Sequence, residues 1–195
     1  VYVVLFRPPC LWPLSSHDRE QRNASTREWA TTRHRSCSDW LVFESRFESG
    51  NLRRAVQVYE FEYDLIAKPD INTRGHTQWF YFAVRGMRAG VQYKFNILNM
   101  VKADSLFNFG LQPLVYSSQE AALRATGWRR RGHDICYYQN HIRRRSSYYY
   151  TLTFKLRVLH TSDITYVAYA HPYTYTDLNR YLRGLENDPE MSKRF

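Results

Sequence analysis

The chain has 195 residues, 44% of them hydrophobic and 16% aromatic, with 16 Tyr, 11 Phe and 5 Trp. That length fits one ordinary domain, with a tail or the start of a second, and the aromatic load favours pleated β structure. A formal net charge of +10 points to polyanionic partners, while no stretch approaches the roughly 20 apolar residues of a membrane span.

The opening VYVVLF lacks an initiator Met and a basic lead, so it is a poor signal peptide. The missing Met suits either a fragment or an uncertain gene model. Residues 1–40 show no sustained period of 2 or 3.6 and scatter Trp12, Trp29 and Trp40 among Ser, Thr and Arg. They read as an irregular leader. Cys10, Cys37 and Cys136 are odd in number and widely spaced, which suits free thiols in a reducing, cytoplasmic setting. Cys136 lies in an apolar run and reads as a buried filler.

From Leu41 the pattern sharpens. LVFESRF reads as a short strand, and Ser49 to Asn51 as a turn. In AVQVYEFEYDLI, Tyr59, Phe61, Tyr63 and Leu65 alternate with acids, while Val56 and Val58 lie on the opposite phase. The phase change predicts a β-bulge near Val58–Tyr59. TQWFYFAV is too continuously apolar for one wet face, so a central strand buried on both faces is predicted. Val91, Tyr93, Phe95 and Ile97 alternate with Gln92, Lys94 and Asn96.

SSQEAALRAT is a short helix capped by Ser117 or Ser118. DICYYQN is a short strand. YYYTLTFKLRV places Tyr148, Tyr150, Leu152, Phe154, Leu156 and Val158 on one face, and ITYVAYA is a further strand. Runs of strands with few helices predict an antiparallel β-sandwich, because a period-2 face this long needs a second sheet to cover it. After His171 and Pro172 the period becomes helical. Thr174 and Asp177 form a capping-box pattern, and Leu178, Tyr181, Leu182 and Leu185 share one face.

Catalytic signals are sparse. His17 and Glu20 form an H-x-x-E string, whose imidazole and carboxylate can bind one zinc ion, but it lies in the irregular leader and reads as coincidence. His76, His133, His141, His160 and His171 form no tight ligand pair. No nucleophile elbow, phosphate loop, dinucleotide fingerprint or Cys-x-x-Cys pair occurs.

The segment from 124 to 145 is the strongest functional feature. It holds seven arginines against one acid, Asp134. The triplets Arg129, Arg130, Arg131 and Arg143, Arg144, Arg145 flank a strand, and arginine forks bind carboxylates and phosphates in bidentate fashion. An acidic-ligand surface is one reading and a solvated loop face the other. Nucleic acid is a third, through stacking on exposed Tyr. Against it, most Tyr here fall on alternating positions expected in the core.

Seven blocks in order, FESRFESGNLRRAVQV, HTQWFYFAV, YKFNILN, KADSLFNFGLQPLVYS, GWRRRGHDICYYQN, YYTLTF and AHPYTYTDLNRYL, resemble the N-terminal domain of the cytosolic carboxypeptidases, from about Leu41 to Leu185. The resemblance implies a β-sandwich over residues 41–172. Residues 173–195 would then begin an α/β carboxypeptidase domain that is missing here, YTYTDL being its first helix. It implies an enzyme that removes glutamates from protein C-termini and polyglutamate side chains, notably of tubulin, with zinc held by an H-P-G-E-type motif and a later His. No catalytic or metal-binding residue carries over: His171-Pro172 is followed by Tyr-Thr, and no zinc ligand or general base is matched in this chain. The expected partners are the carboxypeptidase domain and acidic protein tails. The alternative is a stand-alone basic module that binds such tails.

Overall fold

The computed structural model describes residues 41–188. Within them ten strands form two five-stranded sheets packed face to face. The strands are β1 (Val42–Glu44), β2 (Leu52–Tyr59), β3 (Glu62–Ala67), β4 (Tyr81–Arg85), β5 (Gln92–Met100), β6 (Leu114–Ser117), β7 (Arg129–Arg130), β8 (His133–Arg144), β9 (Ser147–Arg157) and β10 (Ile164–Ala168). Helix α1 is Ser118–Arg124 and α2 is Tyr175–Glu186. The first sheet runs β1-β4-β10-β6-β7 and the second β2-β3-β5-β9-β8.

The alternation read from the sequence builds the core. Tyr93, Phe95 and Ile97 of β5 face Leu152, Phe154 and Leu156 of β9 in register, and all six are buried. Phe80, Phe82 and Val84 close over them from the first sheet. Ring pairs such as Phe95–Phe154 at 5.6 Å and Phe43–Tyr63 at 5.3 Å fill the space between the sheets. Each such side chain contributes about 1.5–3 kcal/mol by leaving water. β4 has neighbours on both sides, and Phe82, Ala83 and Val84 are buried in succession. β4 is central, as predicted, but it is not buried on both faces: outward-facing Tyr81 is only half-buried and Arg85 is exposed, because no second layer among the described residues covers the outer face of this sheet.

One pairing departs from the all-antiparallel expectation. β3 and β5 are parallel, with Tyr63 opposite Phe95 and Leu65 opposite Ile97. The chain leaves the second sheet after β3, crosses in β4 of the first sheet, and re-enters in the same direction. A crossover is what a parallel pair requires. Asn99 then continues the pairing with its side chain. Its Oδ1 accepts the Ala67 N–H and its Nδ2 donates to the Ala67 carbonyl, both at 2.9 Å.

The predicted bulge at Val58–Tyr59 is a register irregularity beside a reversal. β2 ends at Tyr59, the chain turns, and β3 pairs back on β2 with a shift between Gln57 and Tyr59. The phase change thus marked a hairpin as well as a bulge. β8 runs 12 residues, longer than DICYYQN suggested, and takes Arg143 and Arg144 into the strand.

The polar phase of β9 is not simply wet. Thr151 and Thr153 are buried. Thr153 Oγ1 donates to Asn96 Oδ1, and Asn140 Nδ2 donates to Thr151 Oγ1. Cys136 is exposed, which corrects its reading as a buried filler. Its neighbour Tyr137 takes the inward phase and stacks on Tyr150. The leader, with Cys10, His17, Glu20 and Cys37, lies outside the described residues.

The helix signals are met. Ser117 caps α1 by accepting from the Glu120 N–H at 3.0 Å. Thr174 and Asp177 form the full reciprocal capping box of α2. No residue of α2 is buried, and Leu178, Tyr181 and Leu182 are exposed.

Candidate functional site

The two arginine triplets lie on one side of the sandwich but at opposite ends. Residues 129–144 run as a single edge that changes sheet. β7 is the outer strand of the first sheet and β8 that of the second. The switch falls at Gly132, where φ is 129°, a conformation that L side chains rarely adopt. β8 then separates Arg129–Arg131 from Arg143–Arg145 by its own length, roughly 35 Å. The two triplets therefore cannot grip one small ligand.

Three of the six arginines are committed within the fold. Arg130 donates from Nη1 to the carbonyls of Gln112 and Tyr169, at 2.6 and 2.9 Å. Arg131 pairs with buried Glu120 at 2.8 Å. Arg144 donates from Nη2 to the carbonyls of Arg74 and Gly75. Arg129, Arg143 and Arg145 are exposed. From Ile135 to Ser162 the chain carries no Asp or Glu, so no acid within that stretch offsets them. Asp134, just before it, is paired with Lys155 at 2.7 Å. The Lys155 hydrogen bond and charge hold its carboxyl below the usual range. The exposed side chains of Tyr138, Ile142 and Tyr148 accompany these cations on β8 and β9.

A second surface was not singled out from the sequence. On the outer face of the first sheet, Phe47, Tyr81, Trp128, Tyr116 and Tyr166 form a closed circuit of ring contacts between 4.8 and 6.0 Å. They line a groove of about 510 Å³ with Glu48 and Ser118 on its rim. The rings are half-buried, and burial first, with Tyr166 and Asp177 nearby, raises the Tyr81 phenol above its ordinary range. The signal was present as the outward phase of β4, β6 and β10. It was hidden because tyrosine on either phase reads as core. α2 starts beside this groove, since the Thr176 N–H donates to Glu48 Oε1 at 3.0 Å.

Among the described residues, no group of three or more His, Cys, Asp or Glu side chains can hold a metal ion. His76, His133, His141, His160 and His171 are therefore not assembled into a ligand set there. The zinc implied by the resemblance does not fit the described residues.

The sequence profile of the cytosolic carboxypeptidase N-terminal domain matches residues 43–170, from β1 to just past β10. The chain belongs to the cytosolic carboxypeptidase family.

Cytosolic carboxypeptidase 4 of Mus musculus is 52% identical over 159 residues, covering 77% of this chain and 14% of that protein. Cytosolic carboxypeptidase 1 of Homo sapiens is 50% identical over 157 residues, covering 76% of this chain and 13% of that protein. The chain thus spans a small part of the length of these relatives. Solved structures share the fold. A metallo-carboxypeptidase from Burkholderia cenocepacia superposes with a TM-score of 0.53 at 18% identity, over 77% of this chain and 34% of that one. A metallo-carboxypeptidase from Pseudomonas aeruginosa, in complex with (2-guanidinoethylmercapto)succinic acid, gives 0.50 at 20% identity, over 74% and 33%. No helix among the described residues is long and apolar enough to cross a membrane.

Proposed function

We propose that this chain is the accessory β-sandwich of a cytoplasmic zinc carboxypeptidase that removes glutamates from acidic protein tails, tubulin among them, and that it performs no chemistry by itself. The family match over residues 43–170 carries the reading. The reaction centre then belongs to polypeptide that follows the sandwich, with the boundary near Pro172.

Two surfaces divide the work. The aromatic groove on the outer face of the first sheet, with the exposed apolar side of α2 beside it, seats the carboxypeptidase domain. The relatives hold far more chain than the sandwich, and α2 leaves from the rim of this groove. The basic edge, through Arg129, Arg143 and Arg145, steers glutamate-rich tails by long-range attraction that salt weakens.

The test compares the 195-residue chain with a version extended through the following segment of its gene. Zinc-dependent release of glutamate from a polyglutamate peptide is expected from the extended protein alone. Release by the 195-residue chain overturns the proposal.

A stand-alone module for acidic tails is the second reading, favoured by the run without acids from Ile135 to Ser162. A stop codon after Phe195 in the gene selects it. Salt-titrated binding to poly-Glu and to single-stranded RNA separates both readings from nucleic-acid recognition: tighter RNA binding would favour the latter.

A further inference from the structure

At the end of the sandwich that carries α1, the sheets close over a cavity of about 10 Å³. Its polar lining is Ser117, Glu120, Arg131, Arg157, Asp163 and Thr165, and Val115, Leu156, Val158 and Leu159 supply the apolar wall. Thr165 sits on the inward phase of β10, two residues before core residue Val167, and is 1% exposed. Among the described residues, no group accepts from or donates to its Oγ1. Ser117, Glu120, Arg131 and Asp163 are engaged with one another or with the backbone. Glu120 accepts from Arg131 Nη2 at 2.8 Å. Asp163 accepts from the Ser117 hydroxyl and from the Gln119 N–H at 3.1 Å. Folded proteins rarely leave a buried hydroxyl unpaired.

Size and charge narrow what fits. The volume is the least that admits one water molecule, and a buried water needs two to four polar partners. A cation there would face the Arg131 guanidinium. An anion would face the Glu120 and Asp163 carboxylates. A neutral group that both donates and accepts satisfies the lining, because each carboxylate oxygen has a second lone pair and Thr165 has a hydroxyl proton to give.

We propose that this cavity is a binding site for a single structural water. The water accepts from Thr165 Oγ1 and donates to the Glu120 or Asp163 carboxylate. It thereby links β10 to α1, and through the Glu120–Arg131 pair to the point where the basic edge changes sheet. The inference stands apart from the enzymatic reading, since it concerns only this chain.

Thr165→Val decides it, because the two cases have opposite signs. Valine keeps the shape and removes the hydroxyl. With a bound water, the change strands a partner of that water and lowers the Tm by about 3–6 °C. With an unpaired hydroxyl, it removes a liability and raises the Tm, which overturns the proposal. Thr165→Ser retains the hydroxyl and its Tm loss is expected to be smaller than that of the valine variant. On the unaltered chain, a long-lived water cross-peak to the Thr165 methyl in water-selective NOE spectra is expected. Its absence also overturns the proposal.

Discussion

The Glu48 carboxylate accepts the backbone N–H of Thr176 at 3.0 Å, across 128 residues of chain. That bond joins the turn after β1 to the first turn of α2. The helix buries no residue of its own, so its attachment is polar. Two carboxylates serve its N-terminus, Glu48 from the sandwich and Asp177 from the capping box. Anionic groups there also meet the positive end of the helix dipole.

This attachment is expected to fail in acid. Hydrogen bonds from Thr176 lower the Glu48 carboxyl below its ordinary 4.5. Hydrogen bonds from Thr174 lower Asp177 below its ordinary 3.8. A carboxyl depressed in the folded state stabilises fully above its unfolded value and loses that contribution as pH falls through its folded value. The Cα chemical shifts of residues 175–178 should therefore drift toward coil as pH drops below 4.5, with completion below the depressed values. Glu48→Gln should lessen the drift. Shifts that stay constant down to pH 2 would contradict the attachment.

Asn51 is expected to be a stability hot spot. Its Oδ1 accepts the Tyr81 N–H at 2.9 Å and its Nδ2 donates to the Trp79 carbonyl at 2.7 Å. Its backbone N–H reaches the Tyr81 carbonyl, and its own carbonyl accepts from Lys68. One residue thus joins β4 of the first sheet to the end of β3 in the second. Asn51→Ala should cost about 2–3 kcal/mol, by losing two partly buried hydrogen bonds. Denaturant unfolding measures it, and a loss within error would refute the assignment.

Two small-residue exchanges should move stability in opposite directions. A Cβ on Gly50 would collide with the Ser45 carbonyl oxygen. Gly50→Ala should destabilise by roughly 1–3 kcal/mol through overpacking. Ala125 ends α1 in the left-handed region at φ 51°, with its N–H on the Ala121 carbonyl. Glycine favours that position, so Ala125→Gly should gain roughly 0.5–1 kcal/mol. Paired thermal melts check both signs.

The arginines should separate by variant. Arg131→Ala leaves Glu120 buried without its cation and should cost about 2–4 kcal/mol. Arg129→Ala removes an exposed side chain and should stay within about 0.5 kcal/mol. Replacing Arg129, Arg143 and Arg145 together by Ala should weaken poly-Glu binding at low salt while leaving the Tm nearly unchanged. Undiminished poly-Glu binding would remove the steering role of the edge.

Much of this architecture is visible in residue order because it is a local property. Tyr93, Phe95 and Ile97, or Leu152, Phe154 and Leu156, declare a buried face through a period of two. Thr174 and Asp177 declare a helix start because the capping box closes within one turn. The hairpin between Tyr59 and Glu62 was half legible: the phase slip was visible, but the reversal was not.

Pairing partners and spare donors depend on what lies across the fold. Nothing in the alternation of Tyr63 and Leu65 distinguishes a parallel neighbour from an antiparallel one, since both present the same face. Arg129, Arg130 and Arg131 are identical as letters, yet two are exposed, one of these holds two carbonyls, and the third neutralises Glu120. A chain's own periodicity specifies which side of a strand avoids water. Which group a side chain meets there depends on segments tens of residues away, brought near only by packing the two sheets.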